Sequence, residues 1–95
     1  MKTQNTSEKA TGLRAVVLSA ADFSTIVNRL REDGEPMSRL LAENLQDRSR
    51  ALAARRQYVM TLGSSDVARI DCVLTDCCCK DCLHAFHALE AAGLL

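Results

Sequence analysis

The chain has few aromatic residues and few residues that break helices. Aromatic side chains make up 3% of its 95 residues, Trp is absent, and there are only 1 proline and 4 glycines. A core built on aromatic rings is therefore excluded, and the apolar interior must be formed by Leu, Val, Ala and Met. Because chains rich in Ala and Leu favour helices over sheets, this composition predicts an all-α fold.

The chain also lacks an excess of either charge and any long apolar run. Its 12 basic and 12 acidic residues give a formal net charge of 0, which disfavours nucleic acid as a partner. No stretch approaches the roughly 20 apolar residues of a membrane span. The short apolar run 15–21 follows a polar, non-basic leader, so it does not resemble a secretory signal. We expect a cytoplasmic protein with no membrane contact.

The stretch Pro36–Leu62 contains no glycine and no internal proline, and it predicts one long central helix that stops at Gly63. Its apolar side chains recur at alternating steps of four and three, which is typical of a seam that docks against another helix. The seam comprises Leu41, Leu45, Leu52, Val59 and Leu62, with Arg48 and Arg55 at its middle. A chain this short buries only about 60–65% of its unfolded surface, so such a seam favours self-association or partner binding.

Two further helices flank this central segment. Ser19 and Asp22 have the spacing of a capping box, which predicts a first helix from Ala20 to about Glu32. Ser65 fits the N-cap of a third helix that continues to Gly93. The whole chain then forms a small three-helix bundle, with a disordered leader at 1–12, a single helical domain at 13–95 and a short strand or extended arm at 13–18.

The first helix lies within a segment that resembles a known binding arm. Leu18-Ser19-Ala-Ala-Asp22-Phe23 is followed by Leu30, by Pro36 in a turn and by Leu40. This order, over about Val17–Leu41, resembles the C-terminal toxin-binding segment of ribbon-helix-helix antitoxins that neutralise acetyltransferase toxins. The resemblance implies partner contacts through Asp22, Phe23, Leu30, Pro36 and Leu40, but no DNA binding, because only a short polar stretch precedes the segment. The alternative is an ordinary first helix of a bundle.

All 5 cysteines and both histidines lie between Cys72 and His87. Crowded cysteines in odd number make a poor disulfide framework, so we expect reduced thiols. Thiolates and imidazoles at close spacing suit zinc or copper(I). The candidate ligands are Cys77, Cys79, Asp81, Cys82, His84 and His87.

Two geometries are open for this stretch. In a loop, Cys79-x-x-Cys82 forms a knuckle that His84 or His87 completes. In a helix, Cys77, Asp81 and His84 share a face, while Cys78 and Cys82 pack in the core as small apolar residues. A redox role for the Cys-x-x-Cys pair is disfavoured, because the pair is expected inside a helix rather than at its start.

The sequence offers no glycine-rich phosphate loop and no paired carboxylates in an evident cleft, so we expect no enzymatic activity. The leading hypothesis is a small interaction protein, an antitoxin-like neutraliser or inhibitor of phage or mobile-element origin. Its partner would be a toxin or a subunit of a host defence complex. The contact residues would be those of the resemblance together with Ile26, Arg48 and Arg55, and the protein would be a homodimer. The alternative is a zinc- or copper-binding protein; otherwise no cofactor is expected. An arginine-based nucleic-acid site is a third and weaker interpretation.

Overall fold

A computed structural model describes residues 13–52, 56–77 and 79–95. Within them the fold is mostly helical but includes a small antiparallel sheet, so the all-α prediction is right only in part. The elements are β1 (Arg14–Ser19), α1 (Ala20–Glu32), α2 (Pro36–Arg48), β2 (Arg50–Leu52), β3 (Gln57–Leu62), α3 (Ser64–Thr75) and α4 (Lys80–Ala91). The described residues thus hold four helices rather than three, and the leader predicted at 1–12 lies outside them.

The long helix predicted over Pro36–Leu62 is wrong. The helix ends at Arg48, and the chain continues as β2 and β3. Residues 57–62 combine aromatic and β-branched side chains with period-two burial, since Met60 and Leu62 are buried while the residues between and before them are only partly so. The apolar stripe is therefore divided between a helix and a sheet, and the continuous docking seam does not exist.

The sheet has the order β1-β3-β2 and all its neighbouring strands are antiparallel. β1 runs in register with β3 from the pair Arg14–Leu62 to the pair Ser19–Gln57. On β1, Val16 and Leu18 are buried whereas Val17 is half exposed. This alternation shows that one face of the sheet packs against the core. Of the short strand and the extended arm predicted at 13–18, the strand is found, at Arg14–Ser19.

Helix α1 is the central element of the fold, because it packs against β1, β3, α2, α3 and α4. It begins as predicted: Ser19 is the N-cap, and its Oγ accepts a hydrogen bond from the backbone N–H of Asp22 at 3.1 Å. The ring of Phe23 stacks on that of Tyr58, with centroids 4.1 Å apart and planes 6° from parallel. This stack fixes α1 onto the sheet.

The predicted third helix is divided in two, with α3 ending at Thr75 and α4 beginning at Lys80. Helical spacing along this segment predicts one apolar face. Of its members, Val67 is partly buried, Cys78 lies outside the described residues, and the others are buried: Ile70, Leu74, Cys82, Ala85 and Leu89. The break matters for chemistry, because it turns the cysteine-rich stretch from a helix interior into a helix junction. In the described part of the chain, no helix has the length and apolar character needed to cross a membrane.

Candidate metal centre

Three cysteines converge at the junction between α3 and α4. Their sulfur atoms, those of Cys77, Cys79 and Cys82, all lie within 4.8 Å of one another. Cys77 follows the end of α3 and is half buried, Cys79 is the exposed N-cap of α4, and Cys82 is buried in the first turn. The cluster therefore runs from solvent into the core, and we call it the thiol cluster.

The N-terminus of α4 shapes the environment of Cys79. The backbone N–H of Cys82 donates to Cys79 Sγ at 3.4 Å, so a sulfur takes the place of the usual capping oxygen. This hydrogen bond lowers the pKa of Cys79, and hydrogen bonds from the side chains of Cys82 and Cys77 add to the effect. A thiolate is thus favoured on the exposed side of the cluster.

Cys82 has the opposite character. Its burial raises the pKa of the thiol to about 12, and the hydrogen bonds and charges of the two neighbouring cysteines act in the same direction. As an isolated thiol it would therefore stay protonated at neutral pH. A metal ion bound by Cys82 would remove that proton, because a coordinating thiol is deprotonated outright.

Arg29 of α1 supplies positive charge beside the cluster. Burial lowers the pKa of Arg29, but a 2.6 Å ion pair with Glu32 and the nearby thiols of Cys77 and Cys82 raise it overall. The Nε of Arg29 is buried and has no hydrogen-bond partner among the described residues. A guanidinium group in this place would offset the negative charge of a cluster of thiolates.

The spacing of the sulfurs fits a thiolate metal site. Zinc–sulfur bonds of about 2.3 Å in a tetrahedral site place the sulfurs about 3.8 Å apart. The sulfurs of the thiol cluster would have to close by at most about 1 Å. Side-chain rotation alone can supply such a movement, and soft thiolate ligands select zinc or copper(I) among the common ions.

The other predicted ligands do not join the three cysteines. His84 Nδ1 lies 2.7 Å from Asp22 Oδ1, and His87 Nδ1 lies 3.0 Å from Glu90 Oε1. Asp81 is exposed in the first turn of α4. The helical face predicted for Cys77, Asp81 and His84 is wrong because the helix breaks between Thr75 and Lys80. Cys82 is buried as predicted, whereas Cys78 lies outside the described residues.

An apolar groove adjoins the cluster, and sequence reasoning missed it. It has a volume of about 330 Å³ and is lined by Leu74, Thr75, Cys77, Leu83 and Phe86. Leu83 is 54% exposed although it lies in a helix with a well-buried face. Only the turn between α3 and α4 brings these side chains together, so no spacing along the chain could have indicated the groove.

Most of the predicted partner contacts are used inside the chain itself. Asp22, Phe23, Ile26 and Leu30 are buried, and the three apolar ones belong to the hydrophobic core. A partner cannot reach them in this fold, which is a correction to their prediction as surface contacts. Pro36 and Leu40 remain exposed.

The two predicted arginines have different outcomes. Arg48 Nη2 lies 3.6 Å from Asp66 Oδ2, which also accepts a hydrogen bond from the N–H of Gly63 at 2.9 Å. Arg48 therefore links the end of α2 to the start of α3. Arg55 lies outside the described residues.

Comparisons with protein-family models, curated proteins and solved structures found no match to this chain. The resemblance to antitoxin arms has no support from them and stays a prediction.

Proposed function

We propose that this protein binds a thiophilic metal ion, zinc or copper(I), through Cys77, Cys79 and Cys82. The observation that supports the proposal most is the approach of the three sulfurs to within 4.8 Å of one another. Two of these residues are held by the first turn of α4, and the third is held by the end of α3.

Two features of the surroundings suit an anionic metal centre. The positive end of the α4 dipole faces Cys79, and the guanidinium of Arg29 lies near Cys77 and Cys82. Three thiolates and one divalent cation carry one net negative charge, which Arg29 offsets only in part because it is also paired with Glu32. The metal would also join α3 to α4, so that its binding energy would add to the stability of the fold.

Elemental analysis of protein purified without added metal tests this proposal, together with zinc titration of the reduced, metal-free protein against a chelator. We expect about one equivalent of zinc or copper. Replacing the exposed ligand, Cys79→Ser, should lower zinc affinity at least about a hundredfold, since even the loss of groups that only orient a ligand costs 10–100-fold. Cys79→Ser leaves the core intact, so weakened binding would not reflect unfolding.

Cys72→Ser is the matched control, because Cys72 is exposed on α3 and lies outside the thiol cluster. The zinc affinity of the Cys72→Ser variant should equal that of the unchanged protein. Equal losses in both variants, or less than about a tenth of an equivalent of total zinc and copper in the purified protein with no uptake on titration, would contradict the proposal.

A second candidate function is protein binding through the surface of α2. Met37 is 57% and Leu40 is 48% exposed, and they border a depression of about 160 Å³ that Asp66 and Arg69 also line. Exposed apolar side chains three apart on a helix are typical anchors for a partner's groove. The antitoxin-like neutraliser or inhibitor belongs to this candidate, and so does the homodimer.

Leu40→Glu tests the second candidate, with Leu83→Glu as a matched control of similar exposure on another surface. Co-purified partner, or the dimer seen by light scattering, should be lost from Leu40→Glu and kept in Leu83→Glu. A monomer at high micromolar concentration with no co-purified protein would contradict this function. Loss of the partner or the dimer in both variants would contradict the assignment of binding to the α2 surface.

A further inference from the structure

We propose that Cys79 and Cys82 also form a dithiol–disulfide couple, in which Cys79 exchanges with small disulfides and Cys82 closes the internal bond. This activity goes beyond metal binding, and it operates in the metal-free protein. It rests on the placement and exposure of the two residues.

The two residues have different access to solvent. Cys79 is exposed at the N-cap of α4, where a dissolved disulfide can reach its sulfur. Cys82 is 1% exposed and lies one turn further into the helix. Exchange depends on which sulfur is accessible, so external disulfides should meet Cys79 first and leave Cys82 for the internal step.

The distance between the sulfurs allows the internal step. They lie within 4.8 Å of each other, while a disulfide bond needs about 2.0 Å. The N–H of Cys82 already contacts Cys79 Sγ at 3.4 Å, so the exposed sulfur lies over the turn that carries its partner. Side-chain rotation, without a change in α4, brings the two sulfurs together.

The reaction balances with a low-molecular-weight disulfide, R–S–S–R, as oxidant. The Cys79 sulfur loses its proton to solvent and attacks one sulfur of R–S–S–R, which breaks the S–S bond and releases one thiolate, RS⁻. The Cys82 thiol then gives its proton to solvent and its sulfur attacks the Cys79 sulfur of the mixed disulfide, which breaks the Cys79–SR bond and releases a second RS⁻. Two electrons thus pass from the protein to the disulfide, and two RSH form after protonation.

The sequence argued against a redox role because it placed the Cys-x-x-Cys pair inside a helix. The structure removes that argument. A Cys-x-x-Cys pair inside a helix would lack the free N–H groups of a helix end. The structure instead begins α4 at Lys80, so Cys79 lies at its start.

Peptide mapping of metal-free protein in glutathione buffers of graded redox ratio tests the proposal. Free thiols are alkylated before digestion with trypsin, which cleaves after Lys80 and so separates Cys79 from Cys82. We expect peptides 70–80 and 81–95 to become joined by a disulfide as the buffer becomes oxidising, and to separate again on reduction. Absence of the joined pair under oxidising conditions would overturn the proposal.

Single variants assign the roles. Cys82→Ser should accumulate glutathione on Cys79, and Cys79→Ser should abolish the joined pair. Cys77→Ser and the control Cys72→Ser should both keep it. A joined pair that survives Cys79→Ser but is lost in Cys77→Ser would overturn the assignment, because Cys77 would then be the partner of Cys82.

One consequence depends on the proposed metal site. A sulfur in the disulfide cannot ligate a metal ion, so oxidation should remove two of the three ligands and release bound zinc. A colorimetric zinc indicator follows the release in loaded protein. The mapping in metal-free protein tests the couple separately, so failure to bind zinc would leave its result unaffected, and retention of zinc in the joined form would contradict the link.

Discussion

Replacing Leu30 with Ala tests whether α1 is the centre of the core or an arm that a partner covers. Leu30 is 0% exposed, and α1 packs against five other elements. Truncation of a fully buried leucine costs about 3 kcal/mol, within a measured range of 2–5 kcal/mol that depends on how far the cavity collapses. The free energy of unfolding of a chain of this size is about 5–14 kcal/mol, so the loss is a large share of the total.

The matched control is Leu40→Ala, which removes the same atoms from a residue that is 48% exposed on α2. We expect it to cost less than about 1 kcal/mol. In thermal unfolding followed by circular dichroism, Leu30→Ala should lower the midpoint by about 12–24 °C, given about 4–8 °C per kcal/mol for a domain of this size. Similar midpoints for the two variants would refute the buried position of α1.

Three further predictions follow from local geometry. Ser19→Ala removes the hydroxyl that accepts the hydrogen bond of the Asp22 N–H, and it should lower the free energy of unfolding measured in urea by about 1 kcal/mol. In the metal-free reduced protein, iodoacetamide should alkylate Cys79 at lower pH than Cys82, since the hydrogen bond from the Cys82 N–H lowers the pKa of Cys79 and burial raises the pKa of Cys82 to about 12. Zinc affinity should fall as pH falls, because the thiols must lose protons to bind; a competition titration should give a slope of about two to three protons per ion, and a pH-independent affinity would contradict thiolate ligation.

The sequence predicted those elements whose signals are local. The N-cap at Ser19, the bounds of α1 and the start of α2 at Pro36 all follow from side chains within one turn of the helix end. The buried face of the C-terminal helices was also predicted, because α3 and α4 each bury the positions that helical spacing selects. Tertiary contacts are not needed to see any of these features.

The sheet was missed because two periodicities compete in the same residues. Between Leu52 and Leu62, the seam positions fit steps of four and three if Arg55 is counted among them, but the pairing of β3 with β1 decides the outcome. β1 is far from β3 along the chain. Its alternation of buried Val16 and Leu18 is too short to predict which strand it pairs with. The one local indication of a strand was the high β-strand propensity of Tyr58, Val59 and Thr61, which are aromatic or β-branched.

The sequence predicted a site of cysteines and histidines, but only the cysteines come together in the described part of the structure. Cys77, Cys79 and Cys82 were among the proposed ligands, whereas the histidines were assigned to the same site because they would share a helical face with Cys77 or complete a knuckle in a loop. The structure pairs His84 with Asp22, a buried residue 62 positions earlier in the chain. This contact exists only because α1 packs against α4, and no local sequence pattern predicts that packing.

X-ray absorption at the zinc K-edge of zinc-loaded protein tests the central claim most directly, since it counts the sulfur atoms bound to the metal. Ligation by the thiol cluster predicts a first shell with at least three sulfurs at about 2.3 Å. Cys79→Ser should remove one sulfur from that shell, and Cys72→Ser should remove none. A first shell made of nitrogen and oxygen alone, or one that Cys79→Ser leaves unchanged, would contradict the claim.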